Sequence, residues 1–248
     1  MKNRTIVITG ASGNMGLYFI SKYISQNNLI LIDFKKSDKV KKIIKEVNTV
    51  KFIKVDITDF QDLNQKISDL LIETNWKPDT LIHTAAIRSS DSKSLIDTDP
   101  EFWQKIIQVN LIGTYHLLKI IIPYFKKHKF GRIILFGSNV SRIGLKNGTA
   151  YSASKAAIAN LTRSLAQEIS DENILINTIS PGPIKMRNDE FSKEYNNFRE
   201  KYFENERKQI PLKRIAEPDD LFSLCEFLLS EKNTYLTGEE IFVTGGKL

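Results

Sequence analysis

Apolar runs of strand length alternate along the chain with longer segments whose apolar residues recur every three or four positions. The short runs are typical of buried strands and the longer segments of amphipathic helices, so the pattern predicts repeated strand–helix–strand units and a parallel sheet. The predicted strands are 5–9, 29–33, 51–55, 80–83, 132–136, 174–179 and 240–244.

Helices are predicted in the intervals between these strands, at residues 14–26, 37–47, 58–74, 100–127, 150–169 and 218–230. Asp99 followed by Pro100 is a typical helix start, and Pro123 is expected to kink or end that helix. Residues 185–210 are polar with interspersed aromatics and indicate an amphipathic lid. No repeat or linker marks a second domain, so residues 1–248 are predicted to form a single α/β domain, a doubly wound Rossmann-type sheet of seven mostly parallel strands.

Composition adds constraints on the class of protein. Hydrophobic residues make up 41% and charged residues 26% of the 248 positions, as in folded soluble domains. Cys225 is the single cysteine, which excludes an internal disulfide and two-cysteine metal or redox motifs and indicates a cytoplasmic protein. Because its neighbours are apolar, Cys225 is interpreted as a small buried hydrophobe. No apolar run approaches about 18 residues, so no membrane span is expected.

The net charge of +7 raises the question of nucleic-acid or anionic-membrane binding. The lysines are scattered through every segment, which favours solvated surfaces over a nucleic-acid patch. A net positive field still favours anionic ligands, including a dinucleotide. His116 and His128 have no ligand spacing with each other or with acidic residues, so no metal site is expected.

A glycine-rich turn, TGASGNMG, lies where the first strand ends and the first helix begins. Glycines in this context allow a tight turn and let backbone N–H groups approach a pyrophosphate, while the helix dipole favours the phosphate charge. The sequence therefore predicts dinucleotide binding at Gly10, Ser12, Gly13, Asn14, Met15 and Gly16.

Acidic residues after the next two strands bear on the choice of dinucleotide. Asp33 ends the second strand, where a carboxylate accepts hydrogen bonds from ribose hydroxyls and repels a 2′-phosphate. NAD(H) is favoured for this reason, whereas Lys35 and Lys36 could pair with the phosphate and keep NADP(H) possible. Asp56 follows the third strand, and two interpretations stay open for it: a contact to the adenine amino group or a turn-capping role.

Candidate chemistry is concentrated in YSASK, where Tyr151 and Lys155 are four residues apart on one helix face. An adjacent ammonium group favours the phenolate, so this tyrosine could exchange a proton with an alcohol or carbonyl near neutral pH. Ser138 ends the fifth strand, at the sheet edge where α/β folds bind ligands. Ser141 is a weaker alternative to Ser138, with capping or solvent contact expected.

These motifs together resemble the short-chain dehydrogenase/reductase family over nearly the whole chain. The resemblance implies that Tyr151 is the general acid/base, that Ser138 binds the substrate oxygen, and that Lys155 lowers the tyrosine pKa and binds the nicotinamide ribose. It implies that Asn110 holds a water linking Lys155 to solvent. Further cofactor contacts are implied at Ile57, Ala85, Pro181, Gly182 and Ile184.

Two motifs depart from ordinary short members and are closer to an extended branch that often acts on nucleotide-linked sugars: TGxxGxxG, and HTAA at 83–86. A sugar or nucleotide-sugar substrate is expected on this ground. Met186 stands where many relatives have a threonine that touches the cofactor. His83 is interpreted as a hydrogen bond between strands. Arg88, Arg187, Tyr195 and Arg199 could contact an anionic or hydroxyl-rich substrate, although a solvated lid face explains them equally well.

The sequence therefore predicts an NAD(P)-dependent oxidoreductase that interconverts a secondary alcohol and a carbonyl. The alternative is a non-catalytic dinucleotide-binding regulator or scaffold on the same fold. The expected partners are a small-molecule substrate and further copies of the chain, in a tetramer or dimer as in relatives; neither nucleic acid nor membrane is expected.

Overall fold

The computed structural model describes residues 2–88, 93–186 and 193–247, without the side chains of 193–196. Its centre is one sheet of seven strands, in which every neighbouring pair is parallel and the spatial order is β3-β2-β1-β4-β5-β6-β7. The strands are β1 (Thr5–Thr9), β2 (Asn28–Asp33), β3 (Val50–Lys54), β4 (Thr80–His83), β5 (Gly131–Phe136), β6 (Ile174–Pro181) and β7 (Glu240–Val243). The predicted strands are confirmed within two residues at each end.

Helices cover both faces of this sheet. They are α1 (Asn14–Tyr23), α2 (Asp38–Glu46), α3 (Phe60–Thr74), α4 (Pro100–Ile107), α5 (Gly113–His128), α6 (Val140–Ile143), α7 (Thr149–Ile169), α8 (Lys193–Gln209) and α9 (Pro218–Leu229). Successive side chains of a strand point to opposite faces. Val7 accordingly joins one apolar cluster, while Ile6 and Ile8 join the other. Burial on both faces explains why β1 is apolar without alternation.

The strand order reverses between β1 and β4. The chain runs outward from β1 to β3, returns to β4 beside β1, and then runs outward on the other side. At such a switch point the connections leave the sheet in opposite directions, and a crevice opens at the carboxyl ends of the strands. The glycine turn after β1 and the HTAA segment of β4 both lie at this crevice.

The long helical region differs from the prediction at two places. A π-helical segment (Gln108–Ile112) joins α4 to α5. The expectation that the helix ends at Pro123 is wrong, because α5 continues to His128, whereas the expected kink stays a prediction. Pro123 and Lys119, whose carbonyl loses its N–H partner, both lie on an exposed side of the helix.

The continuous helix 100–128 is long and apolar enough to cross a membrane by length and composition alone, with a mean hydropathy of 1.4 in its most apolar window. Half of that window is buried within the fold. Leu117 and Phe125 are fully buried in the cluster that covers one face of the sheet. Packing against the sheet thus accounts for the apolar character that raises the hydropathy.

Candidate active site

The glycine turn brings backbone segments closer than side chains would allow. A Cβ on Gly16 would lie 2.2 Å from the Gly10 carbonyl oxygen, and one on Gly10 would lie 2.8 Å from the Ala85 nitrogen. Gly10 also has φ +65°, in the left-handed region that favours glycine. The turn therefore packs directly on Ala85, at the carboxyl end of β4.

The first turn of α1 offers backbone donors at this crevice. Gly13 is its N-cap and has no side chain to accept a hydrogen bond. Among the described residues, the Asn14 and Met15 N–H groups have no partner within the turn. Free N–H groups at a helix N-terminus, together with a glycine cradle, suit a pyrophosphate. The residues present therefore fit a dinucleotide cofactor.

Asp33 holds the glycine turn through its carboxylate. Oδ2 accepts a hydrogen bond of 2.9 Å from the Ser12 N–H, and Oδ1 accepts one of 3.2 Å from the Lys35 N–H. The Ser12 hydroxyl in turn donates to the Lys35 carbonyl over 2.8 Å. The sequence predicted only the ribose-binding role for Asp33, whereas the structure adds a link between the ends of β1 and β2.

Asp56 and Ile57 follow β3. Asp56 Oδ1 accepts hydrogen bonds from both the N–H and the hydroxyl of Thr58, each 2.9 Å long, so the turn-capping interpretation is confirmed. Oδ2 has no partner among the described residues, and the adenine contact stays a prediction. Ile57 is buried against Gly113, where an added Cβ would lie 2.7 Å from its side chain.

The three candidate catalytic side chains meet beyond β5. Tyr151 and Lys155 lie on consecutive turns of α7, with Lys155 Nζ 5.6 Å from the centre of the Tyr151 ring. Lys155 Nζ also donates a 2.6 Å hydrogen bond to the Phe136 carbonyl, the last residue of β5. Ser138 follows two residues later. The fold thus joins the serine loop to the helix that carries the tyrosine.

Burial is the largest influence on the pKa values of Tyr151 and Lys155. It raises the pKa of Tyr151, while the positive charge of Arg88 and a hydrogen bond with Ser138 act in the opposite direction. Burial, followed by the charge of Arg88, lowers the pKa of Lys155 to about 8. Lys155 was expected to lower the pKa of Tyr151. In the structure, Arg88 and Ser138 are the groups that lower it and favour the phenolate.

The lowered pKa of Lys155 predicts a pH-dependent stability difference from Lys155→Met. Between pH about 8 and the ordinary lysine value of 10.5, the unfolded state holds this proton and the folded state does not. Wild-type stability therefore rises with pH through that window relative to the variant, which has no such titration. Urea unfolding at pH about 7.5 and about 10 measures the difference; parallel profiles for the two proteins would contradict the buried, low-pKa lysine.

Asn110 lies in the π-helical segment and is almost fully buried. Its side-chain Oδ1 accepts a 2.7 Å hydrogen bond from the Ile87 N–H, and its Nδ2 donates to the Ile87 carbonyl over 2.9 Å and to Ser154 Oγ over 3.0 Å. Ser154 donates to the Tyr151 carbonyl over 2.8 Å. Asn110 thus connects the loop after β4 to the tyrosine-bearing helix; its water contact stays a prediction.

The turn after β6 lies beside the serine loop. Asn139 donates its N–H to the Pro181 carbonyl over 3.0 Å, and Gly182 donates its N–H to the Val243 carbonyl over 3.0 Å. Ile184 forms a parallel bridge with Ala216. These backbone bonds position Pro181, Gly182 and Ile184 at the same sheet edge as Ser138.

The structure describes residues 185, 186 and 193–210 of the lid. Arg199 donates to the Met186 carbonyl over 3.3 Å, so α8 contacts the segment that leaves the turn after β6. Arg187 lies outside the described residues, as does the side chain of Tyr195, and their substrate contacts stay predictions. Arg88 is exposed, and its charge acts on Tyr151, Lys155 and Tyr202.

Glu240 is a site-supporting residue that the sequence analysis missed. Its carboxylate is buried and accepts hydrogen bonds from Ser180 Oγ at 2.7 Å and from Ser141 Oγ at 2.5 Å. The structure thus gives the Ser141 hydroxyl a carboxylate partner that was not expected, while the residue stays partly exposed. No local pattern could have revealed this pair, because the two residues are 99 positions apart in sequence.

Comparison with known proteins agrees with this arrangement. A family profile described as enoyl-(acyl carrier protein) reductase matches residues 25–247. The 3-oxoacyl-[acyl-carrier-protein] reductase FabG of Buchnera aphidicola subsp. Baizongia pistaciae is 32% identical over 242 residues, covering 97% of this chain and 95% of that protein.

Solved structures superpose over almost the whole chain. A 3-oxoacyl (acyl-carrier-protein) reductase from Agrobacterium tumefaciens C58 with NADP bound has a TM-score of 0.84 at 25% identity, covering 99% of this chain and 94% of that one. A 3-oxoacyl-[acyl-carrier protein] reductase from Brucella melitensis with bound NAD has a TM-score of 0.84 at 24% identity, covering 99% and 91%. The fold, the family profile and the relatives agree: the chain belongs to the short-chain dehydrogenase/reductase family and is an oxidoreductase.

Proposed function

We propose that this enzyme transfers a hydride between a nicotinamide cofactor and a substrate carbon, interconverting a carbonyl and a secondary alcohol, with Tyr151 as the acid/base. The observation that carries the proposal is the joining of Ser138, Tyr151 and Lys155 at the carboxyl edge of the sheet, beside a glycine turn with free helix N–H groups. A non-catalytic regulator needs the glycine turn to bind a dinucleotide, but it has no need for Ser138, Tyr151 and Lys155 together.

The site residues divide the chemistry among them. When bound, a nicotinamide cofactor supplies or accepts the hydride. The Tyr151 hydroxyl donates its proton to the substrate oxygen in reduction and recovers it in oxidation. The Ser138 hydroxyl donates a hydrogen bond to the same oxygen and stabilises the charge that develops there. The guanidinium group of Arg88 favours the phenolate. Asn110 supports the water proposed to reprotonate Lys155.

NAD(H) is the cofactor that we propose the chain prefers. The Asp33 carboxylate lies at the end of β2, and its negative charge opposes a 2′-phosphate. Solved relatives have been captured with either NAD or NADP, so the fold accepts both dinucleotides. Lys35 follows two residues later and donates its backbone N–H to Asp33 Oδ1, so its side-chain charge could pair with a 2′-phosphate and weaken this preference.

The substrate class that we propose is a 3-oxoacyl thioester. This choice rests on the names of several relatives, which are 3-oxoacyl-[acyl-carrier-protein] reductases. The sugar or nucleotide-sugar substrate expected from the TGxxGxxG and HTAA motifs has no counterpart in those names, and it serves as the comparison class. We also propose that the chain forms a homo-oligomer in the cytoplasm and binds neither nucleic acid nor membrane; light scattering tests the oligomeric state.

A substrate panel read by nicotinamide absorbance tests this function. The panel contains 3-oxoacyl thioesters, keto sugars and their nucleotide-linked forms, and simple ketones, each with NADH and with NADPH. We expect the highest kcat/KM with a 3-oxoacyl thioester and NADH. Turnover of sugars alone would overturn the substrate class, a preference for NADPH would overturn the cofactor assignment, and cofactor binding without any turnover would favour a regulator.

A further inference from the structure

His83 lies at the crevice and bridges two hydroxyl groups. Its Nδ1 is 2.7 Å from Thr9 Oγ1, at the end of β1, and its Nε2 is 2.8 Å from Thr114 Oγ1, in the first turn of α5. The exposed fractions are 4% for His83 and 0% for both threonines. The expected strand-to-strand hydrogen bond of His83 is therefore confirmed, and a second bond reaches the helix beyond.

The hydroxyl and imidazole protons of Thr9, His83 and Thr114 can be arranged in only one way. Thr114 Oγ1 has one proton and donates it to the Asn110 carbonyl over 2.7 Å, which can only accept. His83 Nε2 must therefore carry a proton and donate to Thr114. Burial, followed by the charge of Lys155, lowers the pKa of His83 to about 3, so the ring is neutral and Nδ1 accepts from Thr9.

Further hydrogen bonds lead from Asn110 to the helix turn that carries the catalytic tyrosine. The Asn110 side chain donates to Ser154, which donates to the Tyr151 carbonyl. Thr9 directly precedes Gly10 of the glycine turn. Hydrogen bonds of fixed direction thus lead from the cofactor turn to the Asn110 backbone, and the Asn110 side chain links this residue onward to the backbone of Tyr151.

We propose that His83 and Thr114 are positioning residues, which fix the Asn110 segment and, through Ser154, hold the Tyr151 hydroxyl where it can exchange a proton with the oxygen of a substrate beside the bound cofactor. This inference rests on the proposed function. Neither residue exchanges protons with the substrate. A π-helical segment lacks the regular hydrogen-bond pattern of an α-helix, and the Thr114 hydroxyl supplies a bond to the Asn110 carbonyl within it. Small displacements of catalytic groups have large effects on rate.

Thr114→Val tests the proposal, with Thr162→Val as the matched control. Thr162 Oγ1 makes a comparable buried hydrogen bond of 2.6 Å, to Thr178 on β6, and donates back to its own helix. Both substitutions keep the side-chain shape and remove one hydroxyl. We expect both to lower Tm similarly, whereas Thr114→Val alone lowers kcat by about tenfold with the cofactor Kd nearly unchanged. Equal kcat in the two variants, measured well below Tm, would overturn the proposal.

His83→Asn supplies a second measurement. The shorter side chain can still accept from Thr9 but cannot reach Thr114. Because both substitutions interrupt the same series of hydrogen bonds, we expect the His83→Asn/Thr114→Val double variant to lose no more kcat than the more affected single variant. Multiplication of the two losses would contradict a shared role. If wild type and Thr162→Val both lack turnover, the proposed function fails instead.

A spectroscopic measurement on wild type is independent of turnover. The protein has three histidines, so the imidazole signals of ¹⁵N-labelled protein are assigned by comparison with the His83→Asn variant. We expect His83 to give the neutral form protonated at Nε2, with Nδ1 unprotonated. Protonation at Nδ1 would overturn the direction of these hydrogen bonds and, with it, the proposal.

Discussion

Tyr151→Phe is expected to fold and to bind cofactor as the wild type does, and to lose turnover by roughly 10²–10⁴-fold, the size of a general acid/base contribution. The hydroxyl is the group that exchanges a proton with the substrate oxygen, and phenylalanine keeps the ring but not the proton. Its hydrogen-bond partner at the site is Ser138, so little of the fold depends on it. Initial rates and cofactor titration, with far-ultraviolet circular dichroism for folding, measure the three effects separately.

Tyr115→Phe is the matched control for this experiment. Tyr115 lies on α5 with 46% of its surface exposed, and its hydroxyl accepts a hydrogen bond from Lys119 over 3.2 Å. We expect its turnover to stay within about twofold of wild type, because exposed polar contacts contribute little. Retained turnover in Tyr151→Phe would remove Tyr151 from the catalytic role.

Gly16→Ala is expected to raise the cofactor Kd by about 100-fold or more. The new Cβ would lie 2.2 Å from the Gly10 carbonyl oxygen and 2.7 Å from the Ala11 Cα, both main-chain atoms, so the turn must open. Opening displaces the first-turn N–H groups of α1 from a pyrophosphate. Nicotinamide fluorescence titration measures the Kd, and thermal unfolding measures the accompanying loss of stability.

Gly13→Ala provides a graded control in the same turn. Its Cβ would lie 3.2 Å from the Gly10 carbonyl oxygen, a close contact that a shift of a few tenths of an ångström relieves. We expect a smaller increase in Kd than for Gly16→Ala. Equal Kd values for wild type and Gly16→Ala would show that the cofactor does not bind at this turn.

The sequence predicted those parts of the fold whose cause is local. Strands buried on both faces read as apolar runs, and the glycine turn follows from its place between β1 and α1. The π-helical segment at Asn110 gave no such signal, because it depends on tertiary contacts to Ile87 and Ser154. The helix continues through Pro123 on an exposed side, and that exposure cannot be read from the sequence.

In the candidate site, too, the features with a local cause were predicted and those that depend on tertiary contacts were not. The spacing of Tyr151 and Lys155 placed them on one helix face. By contrast, three other features join segments that are far apart in sequence. They are the hydrogen bond of Asp33 to the glycine turn, the burial of Glu240 beneath two serines, and the effect of the Arg88 charge on the pKa of Tyr151. Their charges and distances depend on how the loops at the sheet edge pack together.

Deuterium transfer tests the hydride chemistry most directly. The enzyme is supplied with NADH that carries deuterium at one of the two C4 positions, and with the best carbonyl substrate of the panel. We expect the product alcohol to carry one deuterium at the former carbonyl carbon from one of the two labelled forms only, since the nicotinamide presents one face to the substrate. Oxidation of the cofactor with no deuterium in the product from either form would contradict hydride transfer at this site.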